Sequence, residues 1–167
     1  DKNIILEYSN DLIVTTGGLY GEIAQLILNE GEQKAEESLL WWKENFKDDF
    51  YIEIVRHGLE EEEKVNEVLL RFAKKHSIKY FASNNTHYLN KDDADAHDVL
   101  LCIKDGERKS TPIGRGRCFR FGFLNTEYYF KSQKEMKSIF SDIPDSIINT
   151  NEIIAKCESY RLASDVL

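Results

Sequence analysis

Cysteine is too scarce in this chain to staple a fold. Three are present, Cys102, Cys118 and Cys157, with no C-x-x-C pair. An odd number without zinc spacing indicates reduced thiols rather than a disulfide framework. Long apolar runs are missing too: none approaches the roughly 18 residues that a membrane span needs, so no membrane insertion is expected. Basic residues are outnumbered, 22 Lys and Arg against 30 Asp and Glu for a net charge of −8. That balance excludes a generic nucleic-acid-binding surface and leaves any phosphate contact to a local patch. The chain opens at Asp1 without a signal-like apolar stretch and its one methionine is Met136, so it reads as a cytoplasmic piece of something longer.

What is present describes one domain over residues 1–167, long enough to bury a real core, with 41% apolar and 31% charged residues. Strands are predicted at Leu12–Thr16, Phe50–Val55 and Lys79–Ser83, each short, apolar or alternating, and each closed by Gly or polar residues. Between them lie helical stripes. Ile23, Leu26 and Ile27 share a face before Gly31, and Ala35, Leu39, Trp42 and Phe46 share the next. A third stripe, Val65, Val68, Leu69, Phe72 and Ala73, follows the acidic run Glu60–Glu63 and ends in Lys74, Lys75 and His76. That ordering complements the helix dipole, so the acidic run needs no ligand to explain it.

Strand, two helices, strand, helix, strand, helix is the α/β alternation of a parallel sheet. Ligands of such sheets sit beyond the carboxyl ends of the strands. Three ends, Thr15–Gly18, Arg56–Gly58 and Asn84–His87, should therefore lie along one rim, with His57 and His87 in equivalent places. Three strands cannot close a barrel, so either the sheet is open or further strands lie elsewhere.

Asn90 reads as the cap of a helix whose inner face is Ala96, Val99, Leu100 and Ile103, and which carries His97 within reach of the rim. Lys104–Arg120 is irregular and holds six basic against two acidic residues, a local charge of +4. Its Arg115, Arg117 and Arg120 are the candidate phosphate contacts, a solvated loop being the alternative. Phe119–Phe130 reads as a β-rich excursion, Ser132–Glu135 as a capping box, and Pro144 as the start of the last helix.

The succession T-G-G-L-Y-G-E-I (Thr16–Ile23), F-Y-I-E-I-V-R-H-G-L (Phe50–Leu59), E-K-V-N-E (Glu63–Glu67), S-N-N-T-H-Y-L (Ser83–Leu89) and A-H-D-V-L-L-C-I (Ala96–Ile103), continued by E-Y-Y-F-K-S (Glu127–Ser132) and N-E-I-I-A-K-C (Asn151–Cys157), resembles the bacterial DNA polymerase III alpha subunit family. The resemblance is colinear and places the chain in the second, C-terminal half of the PHP (polymerase and histidinol phosphatase) domain. It implies a distorted TIM-like (β/α)7 barrel with outer helices, whose rim in some relatives holds divalent metals and a 3′–5′ exonuclease site. Relatives with an intact cluster have S-G-C-L and N-D-x-H, where this chain has Gly18 in place of the cysteine and Asn85 in place of the aspartate; only His87 matches a ligand. Asn is neutral and Gly offers no donor.

The resemblance thus implies a supporting portion of a DNA-directed DNA polymerase with a degenerate metal site, inactive alone. His87 and His57 would hold zinc or manganese weakly or not at all, and magnesium would belong to the parent polymerase. The alternative is a metal-dependent phosphoesterase or proofreading 3′–5′ exonuclease site. Expected partners are the rest of the alpha subunit, other replisome subunits and DNA through the parent protein. A half barrel with open strand edges also invites self-association.

Overall fold

The computed structural model describes residues 2–114 and 116–159, and their order is set by β2, Phe50–Val55. Its alternation sends Phe50, Ile52 and Ile54 to one side, where they join a buried cluster with Ile23, Leu39 and Leu69; Tyr51, Glu53 and Val55 take the other. β1 (Val14–Thr15) and β3 (Tyr80–Ser83) flank it in the order β1-β2-β3, both parallel, with Val14 opposite Phe50 and Ile52 opposite Tyr80. The parallel arrangement follows the sequence reading. β1 is shorter than predicted: Val14 and Thr15 pair with β2, and Thr16 beyond them donates its N–H to the Tyr51 carbonyl (3.2 Å) while its hydroxyl accepts the Glu53 N–H (3.0 Å).

Helices cover the Phe50 side. After α1 (Lys2–Glu7), which the sequence reading did not anticipate, come α2 (Glu22–Asn29), α3 (Glu32–Phe46) and α4 (Glu60–His76). Burial of Ala35 and Leu39 on α3, and of Val65, Leu69 and Phe72 on α4, is the direct product of three- and four-residue spacing. α5 (Ala94–Asp105) is fed by a 3₁₀ turn at Lys91–Asp93, and it is this turn that Asn90 heads.

α6 (Gln133–Ile139) opens at Ser132 with the expected capping box, Ser132 and Glu135 exchanging bonds. Phe140, just beyond it, is fully buried in the main cluster. Arg56 fixes this region with two bonds to Asp142 (2.6 and 2.9 Å) and one to the Ile139 carbonyl (2.8 Å). α7 (Asp145–Lys156) then packs against β3. Its Glu152 accepts the Tyr51 hydroxyl (2.7 Å) and the Lys79 ammonium (2.7 and 2.6 Å), near the amino ends of β2 and β3.

Residues 119–130 differ from expectation. Among the described residues this stretch contains no strand; its only β pairings there are the isolated bridges Tyr88 to Tyr129 and Ile113 to Arg120. Its aromatic residues, which suggested β structure, pack as rings instead, Phe121 on Phe123 and Phe123 on Tyr128.

Candidate functional site

All three strand ends line one cavity of about 580 Å³, through Gly17–Tyr20, through Val55 and His57, and through Ser83–Thr86, with Phe123 and Tyr128 closing it from the loop. Beyond the β2–β3 ladder, which ends at Val55 and Ser83, side-chain amides help to hold these segments in place. Asn66 donates to the Val55 carbonyl (2.9 Å), Asn125 to the His57 carbonyl (2.7 Å) and Asn84 to the Tyr129 carbonyl (2.9 Å).

His57 is 2% exposed. Its Nδ1 lies 2.7 Å from Glu62 Oε1, and its backbone N–H donates to Glu62 Oε2 at 2.5 Å. Glu62 is thus an acceptor for ring and backbone together, which directs the ring proton to Nδ1 and leaves Nε2 buried with no hydrogen-bond partner among the described residues. Tyr128 stacks on this ring at 4.1 Å and 12°. Burial, then the nearby Glu62 charge, pushes the Tyr128 hydroxyl up to about 12.

His87 does not line the cavity, though both it and His57 meet Tyr128. Its backbone N–H donates to the Tyr128 carbonyl (2.8 Å), and its ring meets Phe123 at 4.5 Å, His97 at 5.7 Å and the edge of Tyr128 at 6.0 Å. The ring keeps an open face, yet packing against these neighbours, then repulsion from His97 and His57, moves its pKa below the ordinary histidine value. So His97 does reach the rim, where it meets His87 and Tyr88.

A divalent cluster does not fit these residues. Gly18 has φ +55° and no side chain, and Asn85 is exposed and neutral. The two cavity carboxylates are engaged, Glu62 on His57 and Glu53 by the Thr15 hydroxyl at 3.0 Å. Among the described residues no group of three or more His, Cys, Asp or Glu side chains converges as a metal shell would.

The candidate phosphate contacts fare differently from one another. Arg115 lies outside the described residues. Arg117 is exposed and forms no ion pair with the described residues. Arg120 is buried and turned inward, bound to both oxygens of Asp98 (2.6 and 2.9 Å) and to the Thr111 carbonyl (2.9 Å), so in this arrangement its charge is satisfied internally.

Two residues that the sequence reading passed over are central. Glu62 stood in an acidic run read only as complementing the helix dipole, yet it is 4% exposed; its place three residues after Leu59, where a capping-box glutamate reaches back, was the available signal. Tyr128 arrives from a loop distant in sequence, and no local pattern announced it.

No helix among the described residues is long and apolar enough to cross a membrane. A PHP-domain family profile matches residues 1–57. Over nearly its whole length the chain is similar to the DNA polymerase III subunit alpha of Borreliella burgdorferi, 36% identical over 162 residues, 97% of this chain and 14% of that protein. The corresponding proteins of Campylobacter jejuni (36%, 94% of this chain, 13% of that protein) and Thermus aquaticus (37%, 95%, 13%) are similar to the same degree. The chain spans about one seventh of the length of these curated relatives.

Proposed function

The chain belongs to the DNA polymerase III alpha subunit family, and from that premise we propose that it is a supporting, non-hydrolytic portion of the PHP domain of a replicative DNA polymerase. The three parallel strands and their outer helices are then part of a larger (β/α)7 barrel, whose remaining strands come from elsewhere in the longer protein. Its partners are the remainder of the alpha subunit and, through it, DNA and other replisome subunits.

The donor set of the cavity carries this reading. Phosphoester hydrolysis by a metal pair needs anionic ligands that offset the metal charges and hold both the attacking and the leaving oxygen. Here glycine and asparagine stand at two of the positions concerned, and the nearest carboxylates are engaged by protein donors. Among the described residues no lysine or arginine lines the cavity to hold a phosphate in a metal's stead. What its groups can do is position. The His57, Glu62 and Tyr128 assembly locks the loop to the sheet.

The test compares the parent polymerase with its Asn85→Asp and Gly18→Cys/Asn85→Asp forms, assayed for bound metal and for exonuclease activity with manganese or zinc. The single substitution is the cleaner arm, because a cysteine at the φ of Gly18 costs about 1–2 kcal/mol of backbone strain. The unmodified protein is expected to bind no stoichiometric metal and to degrade no DNA. Stoichiometric metal together with nuclease activity, both lost on His87→Ala, would overturn the proposal.

A further inference from the structure

Both tryptophans of this chain, Trp41 and Trp42, meet at one place on α3, and a carboxylate from α2 joins them there. Their rings stand edge to face, 4.9 Å apart and at 90°. Glu22, the first residue of α2, accepts the Trp42 indole N–H (3.2 Å) on one oxygen and the Ser38 hydroxyl (2.7 Å) on the other. Two aromatic rings at a right angle beside a fixed carboxylate make a recess suited to a cation.

Lys2 fills it. Its ammonium donates to Glu22 at 2.7 Å, reaches Ser38 at 3.5 Å, and lies 4.6 Å and 5.3 Å from the Trp41 and Trp42 ring centres. Occupant and recess belong to different parts of the fold. The recess stands on α2 and α3, whose Ile23, Ala24, Ala35 and Leu39 are buried in the main cluster, whereas α1 fully buries none of its six residues and its Ile5 and Leu6 reach that cluster only in part. Ser38 and Trp42 bind Glu22 through their own donors, so the carboxylate has anchors other than Lys2.

We propose that Glu22, Trp41 and Trp42 form an exchangeable binding site for a primary alkylammonium group, the chemistry of a lysine side chain, with Lys2 as its resident occupant. An incoming ammonium displaces Lys2 and unlatches α1 from α2 and α3. The site supplies what such a group needs: an acceptor for its N–H, ring faces for its charge, and walls already held by Ser38 and by the α3 backbone, which lowers the ordering cost of binding. Lys2 is tethered, and a tethered group competes at an effective concentration on the order of millimolar. The site therefore stays closed against dilute ammonium and opens to a concentrated or well-presented one. The proposal stands on this surface alone, and its failure leaves the family assignment and the supporting role untouched.

The chain has no tryptophan besides these two, so its intrinsic emission reads this site. Butylammonium chloride is titrated into the 167-residue chain and into its Lys2→Ala form, against sodium chloride at the same ionic strength. Lys2→Ala is expected to give a saturable change in emission that sodium does not give. The parent should give the same change at a concentration roughly 5-fold higher or more, because there Lys2 has to be displaced. Adding Glu22→Gln to Lys2→Ala should weaken binding roughly 5-fold or more, since a neutral amide replaces the charged acceptor. Melting curves matching the parent separate lost contacts from lost folding. Where Lys2→Ala melts early, Lys2→Gln, which keeps the stem and drops the charge, takes its place. No saturable change beyond that of sodium, equal affinity with and without Lys2, or affinity unaffected by Glu22→Gln would each overturn the proposal.

Discussion

Replacing Glu62 by alanine should be among the most damaging single changes in this chain, and the reason is countable. The carboxylate accepts the His57 backbone N–H at 2.5 Å and His57 Nδ1 at 2.7 Å, with a longer contact from the Leu59 N–H at 3.5 Å. Alanine leaves the first two donors buried with nothing to receive them. An abandoned buried donor costs about 1–3 kcal/mol, and two such donors put the loss at roughly 3–5 kcal/mol, the Leu59 contact adding little. In a domain of this size each kcal/mol lowers Tm by about 2–4 °C, so the fall should be about 6–20 °C, read by circular dichroism. Glu62→Gln keeps an acceptor for one donor but turns its amide hydrogens toward the other, so it should fall between parent and alanine. A change below about 1 kcal/mol for Glu62→Ala would refute the argument, because it would mean that water or backbone replaces the carboxylate at no cost.

Phe140→Ala removes a fully buried ring that seats the end of α6 in the main cluster; a loss of about 3–5 kcal/mol in urea unfolding is expected. The lowered pKa of His87 predicts a pH dependence. Below about 6.5 the unfolded chain takes up a proton that the folded ring resists, so stability should fall as pH drops through that value and be fully present above it. Urea midpoints measured between about pH 7.5 and 5 should show a shallower fall in His87→Phe than in the parent. Glu152→Ala frees Tyr51 and Lys79 from α7, and faster amide exchange confined to α7 is the expected result; unchanged exchange there would remove the anchoring role given to Glu152.

β2 and α4 were legible in the sequence because one physical signal dominates each: alternation in Phe50–Val55, and a stripe between acidic and basic ends in Glu60–His76. Of the rim Arg56–Gly58 and Asn84–His87 read from the sequence, His57 and Asn84–Thr86 do line one cavity, since parallel strands leave their carboxyl ends together, whereas His87 is not in its lining. What failed was whatever depends on contacts between distant segments. Phe121, Phe123 and Tyr128 favour strands by composition, yet each found a ring to pack on rather than a strand to pair with. Arg120 looked like any loop cation until Asp98, 22 residues earlier, claimed it. Glu62 looked solvated because three other glutamates surround it in sequence, and only its bonds to His57 distinguish it.

The asparagines that fasten the rim have a consequence for how this protein comes apart and how it ages. Asn66 and Asn125 hold the Val55 and His57 carbonyls at the end of β2, and Asn84 holds that of Tyr129 in the loop, beside the backbone bonds from His87 to Tyr128 and from Phe130 to Tyr88. The β2–β3 ladder ends at Val55 and Ser83, so the rim beyond it is expected to exchange its amides beneath the cooperative unfolding of the sheet. Deamidation would convert each clasp from a donor into a carboxylate facing a carbonyl, turning attraction into repulsion at that point alone. Slow chemical change could thus loosen one loop of an old molecule while its core stayed intact.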